Sequence, residues 1–137
     1  MKNKLSEKNK YFIPKERYLE LKHYCRQYPD WKKALQSEDH YYFSSSSAIQ
    51  PPSRKRYPPD SVVEKYVLRR AAYVEKMKLI EQAAIETDEE LYSYILMGVT
   101  EGYSYDVMYA SLQIPCSRDT YYDRYRRFFF ILDKMKD

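Results

Sequence analysis

The sequence predicts an all-α protein, a helical chain with a long central helix and a C-terminal helix-turn-helix. Three observations carry this. Apolar residues recur three and four positions apart along most of the chain, the spacing that lines up one face of an α-helix. Only two glycines occur, and four of the seven prolines fall between residues 51 and 59, so few breakers interrupt the periodic runs. Capping residues stand at the heads of those runs: Asp60 or Ser61, Thr87, Ser104 and Ser117.

Residues 1–36 read as a basic N-terminal arm and a short helical segment. The arm, residues 1–10, is polar, and it is either a frayed tail or a phosphate-contacting arm. Pro14 stands where a helix can begin. Tyr18, Leu21, Cys25 and Tyr28 then form one buried stripe, with Pro29 as its end. Asp30 is placed to cap a second short helix, Trp31 to Leu35. Trp31 is expected as a core anchor and Cys25 as a small buried hydrophobe.

Residues 37–60 change character. Four consecutive serines, two Pro-Pro pairs and the run Arg54-Lys55-Arg56 predict a linker. His40-Tyr41-Tyr42-Phe43 is a strand or a docking segment within it. Residues 61–137 form the third part, a helical domain. A helix over 61–86 carries the stripe Val63, Tyr66, Arg70, Tyr73, Met77, Ile80 and Ala84, widened by Val67 and Val74. Such a helix is about 39 Å long at ~1.5 Å per residue. That is longer than a small helix-turn-helix core covers, so the excess is expected to pack on the N-terminal helices or on a second subunit.

Thr87-Asp88-Glu89-Glu90 reads as the capped, acidic start of the next helix, with Leu91, Tyr94, Ile95 and Val99 inward and Glu101-Gly102 as its stop. Ser104 caps a short helix whose inner face is Tyr105, Met108 and Leu112. Ile114 is the buried hydrophobe of the following turn. Ser117 caps the last helix, where Tyr121, Tyr125, Phe128, Leu132 and Met135 form the inward stripe. Phe130 points away from that stripe, toward a dimer contact or the N-terminal helices.

Charge is unevenly spread. Residues 1–60 hold thirteen Lys and Arg against seven Asp and Glu, and residues 61–137 hold eleven against thirteen. Within the latter, residues 118–136 hold six against three. Positive ends around an acidic middle suit a polyanion touched by the ends. The two cysteines lack metal-ligand spacing and fit a reduced, cytoplasmic setting. No apolar run approaches the ~18 residues of a membrane span. His23 and His40 have neither a nucleophile nor a ligand set at a recognisable spacing, and no glycine-rich phosphate loop occurs. The expectation is therefore a non-enzyme without cofactor or metal.

The last three predicted helices give the order in which the final helix enters the major groove and its first turns meet base edges. The candidate DNA contacts are Ser117, Arg118, Asp119, Thr120, Tyr122, Asp123, Arg126 and Arg127. Arg takes guanine bidentately, Asp accepts from cytosine, and Tyr or Thr holds a phosphate or meets a thymine methyl. Ser117 and Thr120 sit at the helix start, where a phosphate docks. Arg54, Lys55, Arg56 and Arg124 are secondary phosphate candidates. Asp119 and Asp123 argue against plain electrostatic affinity and for selective contact, or for a protein partner.

The run Ile114-Pro115-Cys116-Ser117-Arg118-Asp119-Thr120-Tyr121-Tyr122-Asp123-Arg124-Tyr125-Arg126-Arg127-Phe128 resembles the end of small phage and prophage proteins of low-GC Gram-positive bacteria. These are similar to the RinA/ArpU-type regulators of phage late genes. Weaker likeness extends through Leu79–Ala84, Gly98–Gly102, Ile13–Tyr18 and Tyr28–Lys32. The resemblance implies a terminal helix-turn-helix of the sigma-factor type, with Ser117 to Arg127 as its reading helix. The N-terminal sixty residues are larger than a minimal regulator needs. The expected function is a sequence-specific phage-type transcriptional regulator that binds duplex DNA, as a possible homodimer in the bacterial cytoplasm. Two alternatives stay open: an inhibitor of a host protein (a polymerase or a defence nuclease), and a small packaging subunit.

Overall fold

The computed structural model describes residues 8–47 and 59–137. Six helices follow in order: α1 Lys15–Arg26, α2 Tyr28–Ser47, α3 Pro59–Thr87, α4 Tyr92–Glu101, α5 Tyr105–Leu112 and α6 Arg118–Met135. No strand occurs among the described residues, so the all-α expectation and its long central helix hold.

The N-terminal helices depart from expectation. Helix α1 ends at Arg26, and Gln27 alone separates it from α2. Pro29 therefore opens a helix instead of closing one. In a first turn its missing N–H forfeits no intrahelical bond. Asp30 lies in that first turn, where the dipole favours an acid, and is not the cap. The expected five-residue helix is twenty residues long and continues through residues 37–47, the first half of the expected linker. His40–Phe43 is helical, not a strand. The reason is local: no Gly or Pro occurs from residue 30 to residue 50, and Ser is only mildly unfavourable in a helix.

Helix α3 begins at Pro59, one residue before Asp60, and is about 43 Å long at ~1.5 Å per residue. Its expected stripe is divided. Ile80, Ala83 and Ala84 are wholly buried, whereas Val62, Val63, Val67 and Leu68 are exposed. Thr87 closes α3 instead of capping α4: it is buried and its hydroxyl donates to Ala83 O at 2.8 Å. The residue that turns the chain is Asp88. Its Oδ1 accepts from the backbone N–H of Glu90 (2.9 Å) and Leu91 (3.0 Å), and α4 starts only at Tyr92.

By its contacts the chain divides into two units, Met1–Pro29 with Lys78–Asp137 and Asp30–Met77. The divisions expected after residues 36 and 60 fall inside α2 and α3. In the second unit, Trp31 is buried and the Lys76 ammonium lies 5.4 Å from its ring centre.

The first unit is built on α1, α4 and α6, each packed on the other two. Leu21 and Cys25 from α1, Ile95 and Val99 from α4, and Tyr121, Phe128, Phe129 and Leu132 from α6 supply its centre. Burial pushes the Cys25 thiol well up, as suits an inert core residue. Tyr18 meets Phe129 edge-on at 5.0 Å, and Tyr11 packs on Phe130 at 5.6 Å. Phe130 thus faces the N-terminal segment of its own chain. Arg17 ties α1 to the end of α6, donating to Asp133 Oδ1 at 2.6 Å and to Lys136 O at 2.7 Å.

Gly98 leaves room on α4 for the Tyr121 side chain of α6, since a Cβ there would collide with the Tyr121 hydroxyl. Gly102 ends α4 in the left-handed conformation (φ 78°), which glycine adopts without the usual cost.

Candidate nucleic-acid interface

Two capped helices and a short turn make the C-terminal hairpin. Ser104 Oγ accepts from Val107 N at 3.3 Å and starts α5. Tyr105 and Met108 point inward. Leu112, expected on that inner face, is exposed. Gln113 takes the left-handed conformation (φ 53°) that lets the chain leave the helix, and Ile114 is buried in the turn as expected. Tyr105 Oη donates to Cys116 O at 2.6 Å, fixing the turn against α5. Ser117 then starts α6: its Oγ accepts from Thr120 N at 3.2 Å and its hydroxyl donates to Thr120 Oγ1 at 3.0 Å.

The buried side of α6 is the stripe Tyr121, Phe128 and Leu132 with Phe129, and Tyr125 is half-buried beside it. The candidate contacts flank that stripe or stand away from it. Ser117, Arg118 and Asp119 are exposed, while Thr120, Tyr122, Asp123, Arg124, Arg126 and Arg127 are half-exposed. Arg118, Tyr122 and Arg126 are spaced four apart and form one row along the helix.

These residues differ in how free they are. The Arg118 guanidinium donates to Asp106 Oδ1 at 2.6 Å and lies 5.8 Å and 6.0 Å from the ring centres of Tyr105 and Tyr122. Both members of this ion pair are more than half exposed, at 54% and 71%, so water competes for each and the pair is weak. Tyr122 has a structural share: its hydroxyl accepts from Tyr105 N at 3.3 Å. Arg124 and Asp123 are committed to the fold. Arg124 Nε donates to Asp88 Oδ2 at 2.9 Å and Nη1 to Asp123 Oδ2 at 2.6 Å. Arg126 and Arg127 each bury an Nε that has no hydrogen-bond partner among the described residues.

Asp88 is the acid the sequence hid. Partial burial works to raise its pKa, but Arg124 and the Leu91 and Glu90 amides outweigh burial and hold it below the usual aspartate value. The signal that points to it is its place directly after Thr87, because Asp is as good a capping residue as Thr.

Arg54, Lys55 and Arg56 lie outside the described residues. His23 is exposed on α1. Among the described residues no group of three or more His, Cys, Asp or Glu side chains is arranged to hold a metal, and no helix is long and apolar enough to cross a membrane. No family model, curated protein or solved structure matches the chain.

Proposed function

We propose that the chain is a sequence-specific duplex-DNA-binding protein, a transcriptional regulator of phage type, that reads bases with the first turns of α6. The observation that carries this reading is the row Arg118, Tyr122 and Arg126, which flanks the buried stripe of α6. The row begins at an exposed, serine-capped helix start behind a short helix and turn. Arg118 is the leading base contact. Its exposed pair with Asp106 exchanges readily for guanine O6 and N7 or for a phosphate. Asp119 stands beside it, free to accept from cytosine. The helix start at Ser117 suits a phosphate. Arg124 and Asp123 leave the set of contacts, because they are spent on Asp88 and on each other.

The decisive experiment is selection of bound duplexes from a random pool, using the full chain. Enrichment of one motif, lost on Arg118→Ala, supports the reading. Recovery of unenriched sequence at low salt only, with no motif, sinks it.

A protein partner is the second reading, favoured by the exposed Val62, Val63, Val67 and Leu68 of α3. Partner recovery from host lysate that survives nuclease treatment separates it from the first.

A further inference from the structure

A cleft opens beside the α6 row, within the unit built on α1, α4 and α6. Tyr18, Lys22 and Arg26 stand four residues apart on α1 and form one of its walls. Tyr122 and Tyr125 of α6 form another, and the backbone at Gly98 and Gly102 lies between. Its volume is about 130 Å³, several times what one water needs.

The groups gathered there have one chemistry. Lys22 and Arg26 are cations without a carboxylate partner among the described residues. In the same unit Arg17, Arg118 and Arg124 are all paired. Arg26 is held in place by packing instead of by charge: its Nη2 lies 2.6 Å from where a Cβ on Gly102 would stand, so glycine is what admits it. The Lys22 ammonium lies 6.0 Å from the Tyr18 ring centre. The Tyr18 and Tyr125 hydroxyls hydrogen-bond each other and are pushed up chiefly by burial, so both stay protonated at neutral pH and one O–H of the pair is left to donate into the cleft. Ser104 Oγ, also in the lining, accepts from Val107 N and keeps its O–H to donate. Two unpaired cations among hydroxyl donors, with no acidic side chain in the lining, is an arrangement for an anion.

We propose that this cleft binds a phosphate group, and that it takes a backbone phosphate of the duplex that α6 reads. The choice of source rests on the DNA-binding reading; the anion chemistry does not. Position supports the source. Tyr122 belongs both to the cleft and to the exposed row, with the Arg118 guanidinium on its other flank. A phosphate in the cleft therefore lies beside the helix that would meet the bases, where contacts that set register are made.

Two measurements on the full chain test this. In the first, inorganic phosphate is titrated into labelled protein while the amides of Lys22, Arg26, Ser104 and its neighbour Tyr103, also in the lining, are followed by NMR. Saturating shifts at those amides, lost in Lys22→Gln/Arg26→Gln, are expected. Lys22→Gln alone, which leaves Arg26 on Gly102, is expected to weaken them, and circular dichroism checks that both variants keep their helices. In the second, duplex affinity is measured against salt. The double variant is expected to lose about 0.9 from the slope of log K against log salt, the contribution of the one phosphate the cleft would hold.

Phosphate shifts with a reduced slope support the site and its duplex source. Phosphate shifts with an unchanged slope support the anion site and overturn the duplex source, leaving a free phosphorylated ligand. If the unaltered chain binds no duplex, the DNA reading fails by itself and the phosphate titration alone decides the cleft. Absence of both localised shifts and a slope change overturns the proposal.

Discussion

Arg124 on α6 and Asp88 in the turn before α4 form a part-buried ion pair of 2.9 Å. The same carboxylate accepts the Glu90 and Leu91 amides, so one side chain both turns the chain into α4 and fastens α6 to it. The arrangement engages Arg124 within the fold and explains why Asp88 is not a free surface charge.

Replacing Asp88 with Ala leaves two backbone donors and the Arg124 Nε–H without their acceptor, and a cost of about 2–4 kcal/mol is expected. Arg124→Ala should cost less, about 1–2 kcal/mol, because the two amide bonds survive. The pH dependence follows from the depressed pKa of Asp88, whose ordinary value is 3.8. A folded value below the unfolded one gives stability that is present above that ordinary value and lost as pH falls through the folded one. The gap between the parent and Asp88→Asn, measured by urea unfolding, should be constant above about pH 5 and shrink below about pH 4. A gap that is flat from pH 7 to pH 2 would rule out the pair as its source.

Gly98 and Tyr121 make the second case. Alanine is normally the better helix former by about 1 kcal/mol. Here its methyl would strike the Tyr121 hydroxyl, and Gly98→Ala is expected to destabilise by about 1–3 kcal/mol. That hydroxyl is buried and has no hydrogen-bond partner among the described residues, so Tyr121→Phe should be close to neutral or stabilising. In the double variant the overlap with the hydroxyl is removed and only a close contact of 3.3 Å with the ring carbon remains. The two changes should then couple by more than about 1 kcal/mol in a thermal or denaturant cycle. Simple additivity would show that the helices are not held this close.

The tyrosines yield a third expectation. Burial is the leading cause that pushes Tyr18, Tyr24, Tyr28, Tyr121 and Tyr125 up from the ordinary value of 10.0. For Tyr28 the Glu81 carboxylate, which accepts its hydroxyl, adds to the effect. A raised folded value favours the protonated form. The stability is therefore complete below the unfolded pKa and is lost as pH rises through the folded one. Above about pH 10 the protein should unfold cooperatively, with a step in tyrosinate absorbance at the helix-melting pH. Smooth titration of every tyrosine with helicity intact would contradict the buried cluster.

Much of this was legible in the sequence, and the failures have physical causes. The α6 stripe, the Ser104 and Ser117 caps, Ile114 and the Gly102 stop all rest on local periodicity or backbone chemistry, which a sequence displays directly. Pro29 misled because proline is a breaker in a helix interior and a good first-turn residue. Spacing alone does not say which it is. The polar run to Ser47 reads as linker by composition, yet it contains no residue that stops a helix. Asp88–Arg124 and the Lys22/Arg26 cleft join residues far apart in the chain. Lys22 and Arg26 lie beside a visible stripe, but only the packing of α1 on α6 tells a cleft wall from a solvated face. The free side of α6 was legible as a side, not as a set of equally available residues.

That inequality sharpens the last expectation, on DNA. Arg118 is exposed and weakly paired, and Arg126 follows it two turns along the same row. If both meet bases, Arg118→Ala and Arg126→Ala should each weaken binding to a selected duplex by about 1–3 kcal/mol and relax preference at one position. Arg124→Ala should instead act through stability, lowering the melting temperature with little change in sequence preference, since its guanidinium is occupied by Asp88 and Asp123. Asp119→Asn separates selective contact from charge. Removing an acid raises affinity for any polyanion, whereas loss of a cytosine contact lowers affinity for the selected site alone. Titration of the four variants against the selected duplex and a scrambled one, at two salt concentrations, distinguishes these outcomes. If Arg118→Ala and Arg126→Ala retain the parent's preference between the two duplexes, α6 is not the reading helix.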